Sequence, residues 1–448
     1  EIMLRDSAHI QMFEAEWRNR KAARSGGKLK EFVPLYDMDA AVNVCKQFVG
    51  CEYDRVYDIA EGIKIRFTDV GHLLGSASIE VWATEKTENG DVTEKIVFSG
   101  DIGNINKPII KDPKHVRDAD YVVMESTYGN RSHGGTPNYV EDLTDIFKRT
   151  FERGGNVVIP SFAVGRTQEL LYIIRKIKED NLVGRDFDVY MDSPLAIEAT
   201  NIFIKNVESC FDDEAVELVR KGINPLSFPG LKYATTGDES KQINFDPNPK
   251  VIISSSGMCE AGRIRHHLKH NLWRPECTIV FVGYQAVGTT GRIIVDGAEE
   301  IKLFGEPIQI KAEIVQLKGS SGHADKDGLL CWINAFDTKP KKVFVVHGED
   351  SVCDEFTECL KEEYGYDAMA PYTGGSYDLI ADRVISEGVK ERKTRRTTST
   401  QRGKTVFDRL VAAGKRLMTV ITHNEGGTNK DLAKFTDQIN ALCDKWDR

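Results

Sequence analysis

The chain contains no uninterrupted apolar stretch of membrane-spanning length, and no charged-then-apolar leader opens it. Its nine cysteines, at 45, 51, 210, 259, 277, 331, 353, 359 and 443, form no C-x-x-C pair and make an odd total. That scatter argues against a zinc ribbon and against a disulfide framework, and leaves reduced core thiols. Positive charge is also short. A formal net charge of −9 over 448 residues gives no global attraction to nucleic acid, so an anionic polymer would have to be held by local basic patches or metal ions. Together these absences lead us to expect a cytoplasmic protein with no membrane partner. A length of 448 residues with 40% hydrophobic and 29% charged residues fits an ordinary soluble protein of two or three domains.

What is present is alternation. Val343-Phe344-Val345-Val346 has the length and β-branching of a buried strand and stops on His347-Gly348. One histidine at a strand end is more often hydrogen-bonded packing than chemistry, but the pattern recurs. YVVMESTYG puts Glu125 after an apolar run, DVYMDSP ends on Asp192-Ser193, VIISSSG ends on a serine triplet, and TIVFVGYQ follows the same plan. Helical stretches such as RTQELLYIIRKIKED lie between these runs. Strands buried on both faces and alternating with helices imply α/β layering, with ligands gathering at the strands' carboxyl ends.

Only ten histidines are available for metal or acid-base chemistry. Four segments set such a residue beside glycine or serine at a strand end: DVGHLLGSAS around His72, FSGDIG around Asp101, KGSSGHAD around His323 and VVHGED around His347. His266 and His270 in RIRHHLKH are one helical turn apart, but no carboxylate or cysteine completes a ligand set, and a helix rich in arginine and lysine is more often solvated or phosphate-facing. His9, which opens a helical pattern, stays outside the candidate site.

In order along the chain, TDVGHLLGSASIEVW, IVFSGDIG, VVMESTYGNR, GGNVVIPSFAVGRTQELLY, VYMDSPLA, VIISSSGMCEAGRIRHHL, VGYQAVGTTGR, GSSGHADKDGL and VFVVHGE resemble the metallo-β-lactamase-fold nucleases with a β-CASP insertion. That family includes RNase J and the endonuclease of pre-mRNA 3′-end processing, and the resemblance, of bacterial type, runs to about residue 380. It implies an α/β chain, a metallo-β-lactamase-like αββα sandwich, amino-terminally truncated, with an inserted α/β β-CASP domain. The implied boundaries are 1–128 for the first part of the sandwich, 129–315 for the insertion and 316–380 for the return segment, with 381–448 a basic linker and small helical extension.

The resemblance also implies roles. His72 would bind one zinc, Asp101 would bridge both ions at the heart of the catalytic site, and His347 would bind the second zinc. Glu125 and His323 would form the acid-base pair, the carboxylate orienting a ring placed to protonate or stabilise the leaving oxygen. Two zinc ions roughly 3.5–4 Å apart would hold a hydroxide between them and clamp the phosphate. Arg166, Ser254, Ser255, Ser256, Gly257, Arg263 and Arg265 would contact phosphates through helix amino-terminal amides and guanidinium groups. The plainer reading of the same residues is a helix start at GRTQEL and a tight turn at SSSG.

One departure stands out. The family's His-x-His-x-Asp-His segment is missing from the histidine inventory, which leaves an incomplete ligand set. The chain opens at Glu1 on IMLRDSAHIQ, which lies after that segment in the family, so we expect early strands to be absent rather than rewritten. Such a loss would expose unpaired backbone, each buried unsatisfied group costing about 1–3 kcal/mol. The expected function of the complete form is a zinc-dependent ribonuclease acting on single-stranded RNA, because in the family a histidine at the position of His347 accompanies RNA-directed members. A single-stranded DNA nuclease and a non-catalytic β-CASP scaffold in RNA processing are the alternatives. The sequence leaves the oligomeric state open, a homo-oligomer included.

Overall fold

The computed structural model describes residues 1–24, 32–88, 90–132, 134, 138–317 and 321–389, then 414, 417–418, 420–422 and 429–446. The basic strip expected at 389–404 lies outside these apart from Val389, as does most of the helical stretch expected at 405–420. Among the described residues no helix is long and apolar enough to cross a membrane.

Five strands come first: β1 (Val56–Ala60), β2 (Ile63–Asp69), β3 (Ala77–Thr87), β4 (Gly90–Phe98) and β5 (Tyr121–Glu125). A second set follows as β6 (Val157–Pro160), β7 (Asp188–Asp192), β8 (Leu231–Tyr233), β9 (Lys250–Ser254) and β10 (Thr278–Phe281). After the hairpin β11 (Glu300–Leu303) and β12 (Glu306–Gln309) comes β13 (Glu313–Gln316). The chain then returns through β14 (Lys342–Val346) and β15 (Ala368–Met369) to a small hairpin, β16 (Ser376–Asp378) and β17 (Arg383–Ser386).

Besides the two hairpins, the described strands form two larger sheets, and the expected α/β layering is borne out. One has the order β1-β2-β3-β4-β5-β14-β15 and the other β13-β10-β6-β9-β7-β8. The second is parallel throughout. Its central strands β6, β9 and β10 are buried at every residue, which is why they read as unbroken apolar runs. The first sheet is mixed: β1 to β4 pair antiparallel, and β4, β5, β14 and β15 pair parallel.

Alternation sorts the side chains of the first sheet. Val122, Met124, Val343 and Val345 enter one core with Leu329, Trp332, Phe356 and Leu360 from the helices Lys326–Ile333 and Asp350–Glu362. Tyr121 and Phe344 point the other way into a smaller cluster, where Tyr377 of β16 packs edge-on against Phe344 at 5.2 Å between ring centroids. Each fully buried side chain of this kind contributes about 1.5–3 kcal/mol. Glu80, wholly buried on β3, is neutralised by Arg66 and Lys95, each with a nitrogen at 2.7 Å, and accepts from Thr68 at 2.8 Å.

Residues 1–371 and 375–387 form one compact unit. The other, 372–374 with 388–448, contains the bridge Thr373–Val389 and the helix Asn429–Trp446, which falls in the second helical stretch expected of the tail.

The loop after β4 lies hard against the loop after β2. Gly103 donates to the Val70 carbonyl at 2.8 Å, and a Cβ on Gly103 would stand 2.1 Å from the Gly71 carbonyl oxygen. Gly103→Ala must therefore part the two loops. We expect it to cost about 1–3 kcal/mol, seen in urea denaturation as a lower midpoint with unchanged slope.

Candidate metal centre

β2 and β4 each run antiparallel to β3, so they share a direction, and β5 and β14 are parallel to β4. All four therefore end at one edge of the first sheet, and each delivers a residue there. His72 follows β2, Asp101 follows β4, Glu125 closes β5 and His347 follows β14. His323 arrives on the segment leading into the helix Lys326–Ile333. Its own backbone bridges Gly103, and the Ala324 amide donates to the Ile102 carbonyl at 2.8 Å.

The His72 turn is held from within. Ser76 Oγ accepts from the amides of His72 and Leu73 at 3.0 and 3.2 Å, and Asp69 accepts from the Gly71 amide at 2.9 Å. Burial, then the neighbouring His323 and Lys107, hold the His72 imidazole down at about 4, so it is neutral at physiological pH. Its Nδ1 is buried with no hydrogen-bond partner.

Glu125 is 1% exposed and well satisfied. Its carboxylate accepts from the Ile102 amide at 2.5 Å and the Thr127 amide at 3.2 Å, and it engages His323 Nδ1 at 3.1 and 3.2 Å. Burial pushes the Glu125 carboxyl up, but the hydrogen bond and charge of His323 outweigh it and the net shift is down. Burial pulls His323 down, and Glu125 more than reverses it. Both shifts show each partner favouring the charged form of the other.

Asp101 lies between two rings. One oxygen is 3.9 Å from His72 Nε2 and the other 3.4 Å from His347 Nε2. His347 has φ of +50°, a conformation uncommon outside glycine, and its carbonyl accepts from the Ser126 amide at 3.1 Å. Its ring stands 6.1 Å from that of His323, which is 4.4 Å from that of His72.

Among the described residues, His72, Asp101 and His323 form the single group of three or more whose ligand atoms all lie within 4.8 Å of one another. Two imidazoles, one kept neutral with an orphaned ring nitrogen, and a carboxylate suit zinc. The residues present fit a metal ion. His323, expected as the acid-base residue, thus stands among the candidate ligands, while His347, expected as a ligand, adjoins the group through Asp101.

The residues expected to meet phosphate gather at the carboxyl ends of the second sheet, mostly engaged with protein. Ser254 is buried and donates to the Asp192 carbonyl at 2.9 Å. Ser255 donates to Ser193 Oγ at 3.1 Å and Ser256 to the Ala261 carbonyl at 3.2 Å, while Gly257 accepts from Gln285 at 3.0 Å. Arg263 donates to Asp192 at 2.7 Å and to the carbonyls of Ala234 and Thr235. Arg265 lies 4.7 Å over the Phe304 ring. His267 pairs with Asp192 at 2.6 Å, and His266 and His270 are exposed on the same helix.

Arg166 pairs with Glu169 at 2.5 Å, and Glu169 pairs at 3.2 Å with Lys107, which donates to the His72 carbonyl at 2.8 Å. Lys107 is the functional candidate that sequence reasoning missed. It sits in NINKP, a loop with no periodicity, and nothing local marks it as buried beside a histidine from another loop. Lys107, Arg166, Glu169, Tyr139 and Trp332 line a cavity of about 600 Å³ that also reaches Gly103 and Ser321 beside the metal group.

Residues 167–294 match the family model of the Beta-Casp domain, and 307–371 match that of the Zn-dependent metallo-hydrolase RNA specificity domain. Ribonuclease TTHA0252 of Thermus thermophilus is 35% identical over 288 residues, which cover 64% of this chain and 63% of its own length. The RNase J-like protein of Methanocaldococcus jannaschii is 35% identical over 295 residues, covering 65% of each. The transcription termination factor FttA of Methanosarcina mazei is 32% identical over 359 residues, 78% of this chain and 54% of its own length. The chain therefore spans between about half and two thirds of these curated relatives.

Glu125→Gln removes the main opposition to the burial of His323, leaving only the charge of Asp101, so in metal-free protein its pKa is expected to fall, read by NMR histidine titration. The raised His323 pKa stabilises the fold fully below 6.5, and that contribution is lost as pH rises through the raised value. The variant should therefore be destabilised most in mildly acidic solution. An unmoved His323 titration would show that the carboxylate does not hold the ring's proton.

Proposed function

This chain belongs to the β-CASP family of metallo-β-lactamase-fold proteins, and on that premise we propose that it is a metal-dependent ribonuclease hydrolysing phosphodiester bonds of single-stranded RNA. The observation that carries the reading is the meeting of His72, Asp101 and His323 at one sheet edge, with Glu125 buried behind His323. The relatives' printed names, ribonuclease and RNase J-like protein, support RNA as the substrate class.

The metal of this reading is zinc, as two ions. The two oxygens of Asp101 face different rings, His72 and His347, which supports all three side chains as ligands of this site. When bound, zinc supplies a hydroxide near neutral pH and offsets the charge of the phosphate. Asp101, His72 and His347 would hold the metal, with Asp101 at the catalytic centre. Glu125 fixes the Nδ1 side of His323, and the imidazolium gives its proton to the leaving oxygen. Lys107, tied to Glu169 and the His72 carbonyl, braces the ligand turn and sets a cation on the cavity wall. Arg166, Ser254, Ser255, Ser256, Gly257, Arg263 and Arg265 are assigned to the path of the RNA; of these Ser254 and Gly257 are buried and the rest half-buried.

We assign 1–128 and 316–380 to the metallo-β-lactamase-like domain and 129–315 to the β-CASP insertion, supported by the sheet to which each strand belongs. The linker and helical extension expected from 381 starts later, because β17 (Arg383–Ser386) pairs with β16 within the first compact unit, and we assign them to the residues after 387. A cytoplasmic setting is supported by nine unpaired cysteines.

The test combines metal analysis with cleavage of matched single-stranded RNA and DNA by this chain. Zinc-loaded protein is expected to cut RNA and to lose the activity in EDTA. His323→Ala should reduce cleavage by about 10²–10⁴-fold with zinc retained, whereas His347→Ala should lower the zinc content. Equal zinc loss in both variants would move His323 from proton donor to ligand. A zinc-free, inactive wild type would replace the nuclease with a scaffold, and equal cutting of DNA would sink the RNA assignment.

A further inference from the structure

The helix Ile264–Asn271 carries Arg265, His266, Lys269 and His270 and no acidic residue. It buries Ile264, His267, Leu268 and Asn271 and turns His266 and His270 to solvent. Beside it stands the hairpin β11–β12, whose turn is Phe304-Gly305 with φ of +52° and +90°. A two-residue turn with both φ positive favours asparagine or glycine, and a bulky residue there is a genuine outlier. Phe304 is held in this conformation and yet is 45% exposed, so burial does not account for it.

What the ring touches is a histidine and an arginine. Phe304 stacks on His266 with centroids 4.4 Å apart and planes 25° from parallel, and the Arg265 guanidinium lies 4.7 Å from the ring centre. Farther along the helix His270 meets the edge of Phe245, an exposed ring, at 6.3 Å. Lys269 is neutralised by Glu306 at 2.9 Å. Among the described residues Arg265 and Lys302 have no ion-pair partner, and the Arg265 Nε–H is buried without an acceptor. The surface starts where the serine loop leaves β9, since the Ile264 amide donates to the Ser255 carbonyl at 3.2 Å.

We propose that this surface is an exosite for single-stranded RNA, sharing no residue with the metal group, on which bases stack against Phe304, His266 and Phe245 while Arg265 holds the backbone. Rings interleaved with cations match a polymer that alternates bases with phosphates, and each stacked base is worth about 1–3 kcal/mol. A protein partner would call for a contiguous apolar core, which this alternation breaks. The inference rests on the RNA reading of the previous subsection and adds to it a site for strand outside the catalytic group.

The test measures binding of fluorescein-labelled oligo(A) to the full chain by anisotropy, in EDTA so that nothing is cut. Phe304→Asn suits the turn better than phenylalanine does, so its melting temperature should hold or rise, while affinity falls by roughly 5- to 150-fold, the range for one lost stack. Phe304→Tyr, which keeps the ring, should restore the affinity. Unchanged affinity in Phe304→Asn overturns the exosite while leaving the nuclease reading standing. Failure of the wild type to bind oligo(A) overturns the RNA reading and the exosite with it. A loss of dimer mass in light scattering with RNA affinity intact would assign the surface to a second copy of the chain and overturn the proposal.

Discussion

The site depends on one constraint, the shared direction of β2, β4, β5 and β14. Because those strands run the same way, their carboxyl ends open on one edge, and four loops far apart in sequence supply His72, Asp101, Glu125 and His347 to one volume. The register is tight: Val346 lies opposite Glu125, so the residue after Val346 falls directly beyond the carboxylate. A one-residue slip would carry the whole of β14 to the wrong core and pull His347 away from its place just past Glu125. The cores on either face of β5 and β14 hold that register, since the alternation of Tyr121, Val122, Val123 and Met124 matches a buried surface on each side.

Electrostatics adds the second layer. A buried carboxylate is costly alone, and two amides and the His323 ring draw the Glu125 carboxyl below its ordinary value. His72, 4.4 Å from that ring, is kept neutral by burial and by the charge next to it. Two imidazoles side by side are therefore shifted in opposite directions, His323 up by the carboxylate it faces and His72 down by burial. Lys107, Glu169 and Arg166 extend the order outwards and tie the His72 turn to the helix Arg166–Glu179.

The second sheet uses similar residues for a different end. At the carboxyl end of β7, Asp192 accepts from Ser240, His267 and Arg263, a buried hub that fixes the helix Ile264–Asn271 against the strands. Arg263 is thus committed to structure, while Arg265, two residues on, lies over Phe304. Adjacent arginines of one motif take different work because helical geometry turns them to different sides.

The sequence by itself determined the elements and the chemistry they carry. Unbroken apolar runs became the buried strands β5, β6, β9, β10 and β14, the intervening periodicity became helices, and polar residues at the ends of those runs were legible as a strand-end site because a parallel sheet leaves its ligand-facing groups there. Tertiary structure alone decided which of those residues meet. That His323 lies among the candidate ligands while His347 stands beside Asp101, that Lys107 packs against the His72 carbonyl, and that Phe304 stacks on His266 follow from contacts across tens to hundreds of residues. No local pattern encodes such distances, because they are set by how loops pack once the strand order is fixed.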